Sequence, residues 1–111
     1  MADCIFCKIA SGEIKADVVY QDGHVTAFRD LNPQAPTHVL VIPNEHVETI
    51  ADLDDPDLSV RLLRAAAQIA QREKLENGWR LVTNVGPDAG QSVFHLHWHV
   101  LGGRHMGWPP G

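Results

Sequence analysis

The sequence predicts an α+β fold built on an antiparallel sheet. Two observations carry that reading. Apolar, β-branched segments stand on both sides of a single long stretch with helical periodicity. Short turns, not helical crossovers, join several of those segments, which favours antiparallel pairing.

Asp3 is placed to cap a short helix over residues 4–10, closed by Ser11-Gly12. Residues 18–21 read as a strand, Asp22-Gly23 as a hairpin turn and residues 24–31 as the return strand. Pro33 and Pro36 stiffen a turn over residues 32–36. Residues 37–42 are β-branched and apolar, a buried strand closed by Pro43 and Asn44. The long helix spans residues 56–76. Asp55 is its N-cap, Pro56 its first residue and Leu58, Leu62, Ala66 and Ile69 its apolar stripe, with Asn77-Gly78 as the left-handed stop. Residues 79–84 form another strand and residues 85–91 a loop rich in glycine and proline. A last strand covers residues 94–101 and ends at Gly102-Gly103, and the tail closes on Trp108-Pro109-Pro110-Gly111.

At 111 residues the chain is one domain, large enough for its own core. A net charge of −5 without any basic run argues against duplex nucleic acid as a partner. The N-terminus shows no leader pattern and no stretch is long and apolar enough to cross a bilayer, so a cytoplasmic protein is expected. In that reducing setting Cys4 and Cys7, three residues apart, suggest metal or redox chemistry before a disulfide.

The last strand carries the chemistry. His95, His97 and His99 alternate with Phe94, Leu96, Trp98 and Val100, so a period of two puts three imidazoles on one face. Three histidines suit a catalytic metal. They also suit attack by one imidazole on phosphorus while its neighbours bind the phosphate oxygens. The surroundings favour phosphorus. Gly90-Gln91-Ser92 precedes the strand and offers amides and a hydroxyl, Asn84 adds an amide donor, and no carboxylate stands nearby to support metal-bound imidazoles.

Residues 91–101, Gln-Ser-Val-Phe-His-Leu-His-Trp-His-Val-Leu, resemble the signature of the histidine triad (HIT) family. Cys4-Ile5-Phe6-Cys7-Lys8-Ile9, residues 30–38, Leu101-Gly102-Gly103-Arg104 and the Trp-Pro-Pro-Gly tail resemble its nucleotide-binding branch, so the likeness covers nearly the whole chain. The resemblance implies one HIT domain over residues 3–111. It also implies a homodimer joined across the sheet, with the tail, residues 102–111, reaching toward the partner. The implied activity is that of a purine nucleoside phosphoramidase, cleaving the P–N bond of adenosine 5′-phosphoramidates to release AMP.

The resemblance also implies roles. His97 is the nucleophile and forms a covalent nucleotidyl-histidine. His99 binds phosphate beside Ser92, Asn84, Gly90 and the amide of Gln91. Asp30 accepts the ribose hydroxyls. Leu31, Phe6, Ile9 and Phe28 wall the base, His38 and His95 orient the others, and Trp108 belongs to the tail that reaches the partner's site. His24 and His105 are read as surface residues. Catalysis on this reading requires no cofactor. A structural zinc on Cys4, Cys7, His46 and His95 competes with reduced core thiols as the use of the cysteine pair. A dinucleoside polyphosphate hydrolase and a non-catalytic nucleotide sensor are the competing functions.

Overall fold

Five strands, β1 (Val18–Gln21), β2 (Val25–Arg29), β3 (Thr37–Pro43), β4 (Trp79–Val82) and β5 (Trp98–Gly102), form one antiparallel sheet in the order β1-β2-β3-β5-β4. The structure is a computed structural model describing residues 3–111. Two helices, α1 (Ile5–Ser11) and α2 (Pro56–Arg72), complete the fold, as the residue patterns predict.

The helices cover opposite faces of the sheet. Leu58, Leu62, Ala66 and Ile69 of α2 pack with Val25, Ala27, Val39, Val41, Leu96 and Val100. Phe6 and Ile9 of α1 pack with Phe28, Leu40 and Ile42. Strand alternation sorts these two sets and also places the imidazoles. His38 shares the parity of Leu40, and His99 lies directly opposite Leu40 across the β3–β5 ladder. Both therefore belong to the α1 face. Asp55 caps α2, its Oδ1 accepting from the amides of Asp57 and Leu58 at 3.0 and 3.2 Å. Among the described residues, no helix is long and apolar enough to cross a membrane.

Several boundaries differ from the sequence reading, each for a local reason. The N-cap of α1 is Cys4 instead of Asp3, its Sγ accepting from the Cys7 amide at 3.4 Å. The return strand stops at Arg29, because the Asp30 carboxylate turns back to accept from the Asn32 amide at 2.8 Å. Helix α2 ends at Arg72, short of Glu76. The amide of Leu75 donates to the Ala70 carbonyl and that of Lys74 to the Gln71 carbonyl, with Lys74 at φ 58°. This is a Schellman closure with lysine in the left-handed position, ahead of Asn77-Gly78. Leu75 then folds onto the sheet at Gly102, where a Cβ would come within 2.6 Å of its Cδ1. Gly102 is therefore the last strand residue, where glycine admits the helix end, and not a strand breaker.

The largest departure concerns the histidines. β4 stops at Val82, and the Thr83 hydroxyl donates to the His97 carbonyl at 2.9 Å. β5 begins only at Trp98, so His95 and His97 precede it and His99 alone lies within it. Pairing with β3 ends at the Val41–Trp98 register, and the Leu96 amide donates to the Val47 carbonyl outside the sheet. Alternation survives without the ladder: Leu96 and Val100 still point to the α2 core, while Phe94 is about half exposed.

Candidate active site

Backbone groups fix the three imidazoles. The Nδ1 of His97 lies 2.7 Å from the His95 carbonyl. A carbonyl only accepts, so Nδ1 carries the proton and, in the neutral ring, Nε2 holds the lone pair. The ring is buried, with Phe6 edge-on at 5.1 Å and His99 at 5.0 Å between centroids.

His99 is fixed from the other side. The Gln34 amide donates to His38 Nδ1 at 3.0 Å, so His38 carries its proton on Nε2. His38 Nε2 lies 2.9 Å from His99 Nδ1 and 3.4 Å from Asp30 Oδ2. The shorter contact makes His99 Nδ1 the acceptor and leaves a proton on His99 Nε2, which is buried without a partner among the described residues. A buried N–H without a partner is costly unless a ligand meets it. Burial, with help from the neighbouring His97 and His38 and against the pull of Asp30, holds His99 down at about 4. Burial also lowers His38, against Asp30. Both rings are therefore neutral at pH 7.

The sign of this linkage follows. The unfolded chain takes up protons below pH ~6.5 that half-buried His99 and buried His38 refuse. Their contribution to stability is full above pH ~6.5 and is lost as the pH falls toward the folded value of about 4 for His99. The melting temperature should drop between pH 7.5 and 5. A flat profile across that interval would contradict the burial of neutral rings.

A second cluster lies next to the first. Cys4, Cys7, His46 and His95 place one donor atom each within 4.8 Å of one another. His95 Nδ1 is 3.3 Å from Cys4 Sγ and 3.5 Å from Cys7 Sγ, and His46 Nδ1 is 3.4 Å from Cys7 Sγ. A tetrahedral centre with the usual Zn–S and Zn–N bonds has ligand–ligand edges of roughly 3.4–3.8 Å, so the donor set fits such an ion. His95 Nε2 donates to the Pro43 carbonyl at 2.8 Å, which leaves Nδ1 unprotonated toward the thiols. Burial pushes His95 down to about 4 and burial raises Cys7, each opposing its charged form.

Other expected site residues fall less uniformly. Asp30 is brought to His38 and His99. Ser92 and Gly90 are exposed and Asn84 half-buried, on the segment between β4 and β5. The Gln91 amide, expected as an anion donor, is instead paired with the Gly86 carbonyl, and the Gly90 amide with that of Pro87. The Gln91 side chain braces the loop, accepting from the Gly86 amide and donating to the carbonyls of Glu48 and Val93. Phe6, Ile9 and Phe28 form core under α1, whereas Leu31 is 98 % exposed and joins none of them. Trp108 is 83 % exposed, on a tail where Arg80 donates to the Gly107 carbonyl. The sequence reading missed the carbonyls of His95 and Pro43 and the amide of Gln34, because backbone groups carry no side-chain signature.

Comparison with known proteins places this geometry. The HIT domain model matches residues 11–106. The chain belongs to the HIT domain family. Among its HIT relatives, the purine nucleoside phosphoramidase of Escherichia coli strain K12 is 47% identical over 108 residues, covering 95% of this chain and 91% of that protein. The 14 kDa zinc-binding protein of Zea mays is 49% identical over 111 residues, covering 96% of this chain and 87% of that protein. A crystal structure of a HIT family hydrolase from Legionella pneumophila Philadelphia 1 superposes with a TM-score of 0.95 at 54% identity, covering 98% of this chain and 100% of that one.

Proposed function

We propose that this HIT protein is a purine nucleoside phosphoramidase that hydrolyses adenosine 5′-phosphoramidates to AMP and an amine. The carrying observation is the complementary pair of imidazoles. His97 keeps its Nε2 lone pair because Nδ1 is tied to the His95 carbonyl, and neighbouring His99 offers an unpartnered Nε2–H. A nucleophile beside a fixed donor suits attack at phosphorus with charge on the phosphoryl oxygens. The Escherichia coli relative of that name supports the substrate class.

In this reading His97 Nε2 attacks phosphorus, an Nε2–P bond forms and the P–N bond breaks. The departing nitrogen takes a proton delivered from solvent at the Ser92 hydroxyl. Water then attacks phosphorus and gives up a proton to solvent, the Nε2–P bond breaks, Nε2 regains its lone pair and AMP leaves. His99 donates to a phosphoryl oxygen throughout, and Asn84 and Gly90 line the same end. Asp30, held near His38, accepts the ribose hydroxyls, and Leu31 and Phe6 flank the base. No cofactor enters these steps.

Zinc is the metal we propose for Cys4, Cys7, His46 and His95. The donor set supports it, as does the zinc-binding name of the Zea mays relative. Bound there, zinc would tie α1 to the histidine segment, a structural task.

We read residues 3–111 as one HIT domain, cytoplasmic and homodimeric, with residues 102–111 and Trp108 reaching toward the partner. β4 is an edge strand with Trp79 39% exposed, and Val60 and Leu63 are exposed on α2. An open strand edge and exposed apolar side chains favour a second copy of the chain. Product analysis tests the activity: incubation with an adenosine phosphoramidate should yield AMP and free amine in equal amounts. Cleavage only of dinucleoside polyphosphates, or tight AMP binding with no turnover, would replace this reading.

A further inference from the structure

Hydrogen bonds joined through the backbone of Gln34 link the surface to the buried N–H of His99. Arg104 Nε donates to the Gln34 carbonyl at 3.0 Å, linking residues 70 positions apart. The amide of the same Gln34 donates to His38 Nδ1 at 3.0 Å. His38 Nε2 in turn meets His99 Nδ1 at 2.9 Å, leaving His99 Nε2 buried and unpartnered.

Each link sets the next. If the Gln34 amide is not aimed at His38 Nδ1, only the longer contact of Nε2 with Asp30 Oδ2, at 3.4 Å, still favours the His38 proton on Nε2. His99 then has no fixed donor at Nδ1, and its own proton divides between the two nitrogens. Only the form protonated on Nε2 presents a donor at the open position.

The backbone of Gln34 is held from two sides. Arg104 grips its carbonyl and anchors itself by a second bond, Nη1 to the His105 carbonyl at 3.1 Å. Pro36, at the other end of the turn, sits so close to Gly103 that a Cβ there would lie 2.9 Å from Pro36 Cβ. Gly103 is at φ 90°, so both the close approach and the backbone call for glycine. Within the turn the Gln34 side chain donates to the Asn32 carbonyl at 3.0 Å. The Gly103-Arg104 step thus forms a seat for the turn that carries the Gln34 amide.

We propose that Arg104 is a positioning residue for the reaction: through the backbone of Gln34 and through His38 it holds His99 in the form protonated on Nε2. The inference rests on the phosphoramidase reading for its catalytic consequence, but the proton position can be observed without substrate. Arg104 touches neither substrate nor the reacting atoms.

Long-range proton–nitrogen correlation spectra of the full-length protein report which imidazole nitrogen carries the proton. In the wild type His99 should show Nε2 protonated and Nδ1 free. In Arg104→Ala the two His99 nitrogens should shift toward one another as the forms mix. The kcat for an adenosine phosphoramidate should fall about three- to tenfold, the size of one lost hydrogen bond, with a smaller change in KM. Arg104→Lys, which keeps one donor, should restore most of both. Unmoved His99 nitrogens in Arg104→Ala would overturn the proposal, whether or not its activity falls. If the nitrogens move but no wild-type hydrolysis is detected, the relay stands and the phosphoramidase reading fails.

Discussion

Replacement of His97 by alanine should abolish hydrolysis of adenosine phosphoramidates, by at least about four orders of magnitude in kcat, as removal of an enzymatic nucleophile does elsewhere. The expectation follows from the tautomer. With Nδ1 committed to the His95 carbonyl, Nε2 of His97 has no other assigned task. No neighbour can substitute, since His95 turns Nε2 to the Pro43 carbonyl and Nδ1 to the thiols, and His99 Nδ1 accepts from His38. AMP affinity should change far less, because the proposed phosphate and ribose contacts come from other side chains. Both halves are measured on one protein sample, by turnover and by calorimetric titration with AMP. An alanine variant within tenfold of wild-type turnover would remove His97 from the nucleophile's place.

Loss of the second cluster should be felt mainly in stability. If Cys4, Cys7, His46 and His95 hold zinc, ligand-linked stabilisation is carried only by the folded chain. Zinc present at about a hundredfold over its dissociation constant adds close to ~3 kcal/mol, which corresponds to about 10 °C in melting temperature for a domain of this size. Cys7→Ser, or chelation of the wild type, should therefore lower the melting temperature by about that much. Turnover at 25 °C should be kept within about tenfold, because no proposed ligand is the nucleophile and the links to the site are the His95 carbonyl and the packing of Phe6 on His97. The check is metal analysis beside thermal unfolding. Purified protein without stoichiometric zinc, and a melting temperature indifferent to chelator, would leave the cluster as reduced thiols.

Much of the fold could be read from residues whose effect is local. The Asp55-Pro56 start of α2, the β-branched run of β3 and the Asp22-Gly23 turn each act through their nearest neighbours in sequence. The misjudged ends depend on distant partners. Helix α2 stops early because Leu75 has a seat at Gly102, and β5 starts late because the Leu96 amide finds the Val47 carbonyl. The histidines kept their common side although the ladder beneath two of them is missing. Their alternation follows from burying Leu96 and Val100 on the α2 face, which does not require strand pairing.

The site was legible in its side chains and not in its backbone. His38, His99 and Asp30 come together, as do the four thiol and imidazole groups. Which nitrogen of each imidazole is free, however, depends on the carbonyls of His95 and Pro43 and the amide of Gln34. The loop before the histidines shows the same limit. Its glycines suggested open amides, yet those of Gly90 and Gln91 are spent inside the loop. Leu31 was grouped with Phe6, Ile9 and Phe28 by the family resemblance, and the end of β2 at Arg29 carries it out to solvent.

The central claim is that His97 Nε2 forms a bond to phosphorus. Rapid quench of the wild type at alkaline pH, during turnover of an adenosine phosphoramidate, preserves such a bond for mass spectrometry of the digested chain. One adenylyl group is expected on the peptide carrying His95, His97 and His99, with fragmentation placing it on His97. An adenylyl group on His95 or His99, or turnover at full rate with no covalent adduct under the same quench, would contradict it.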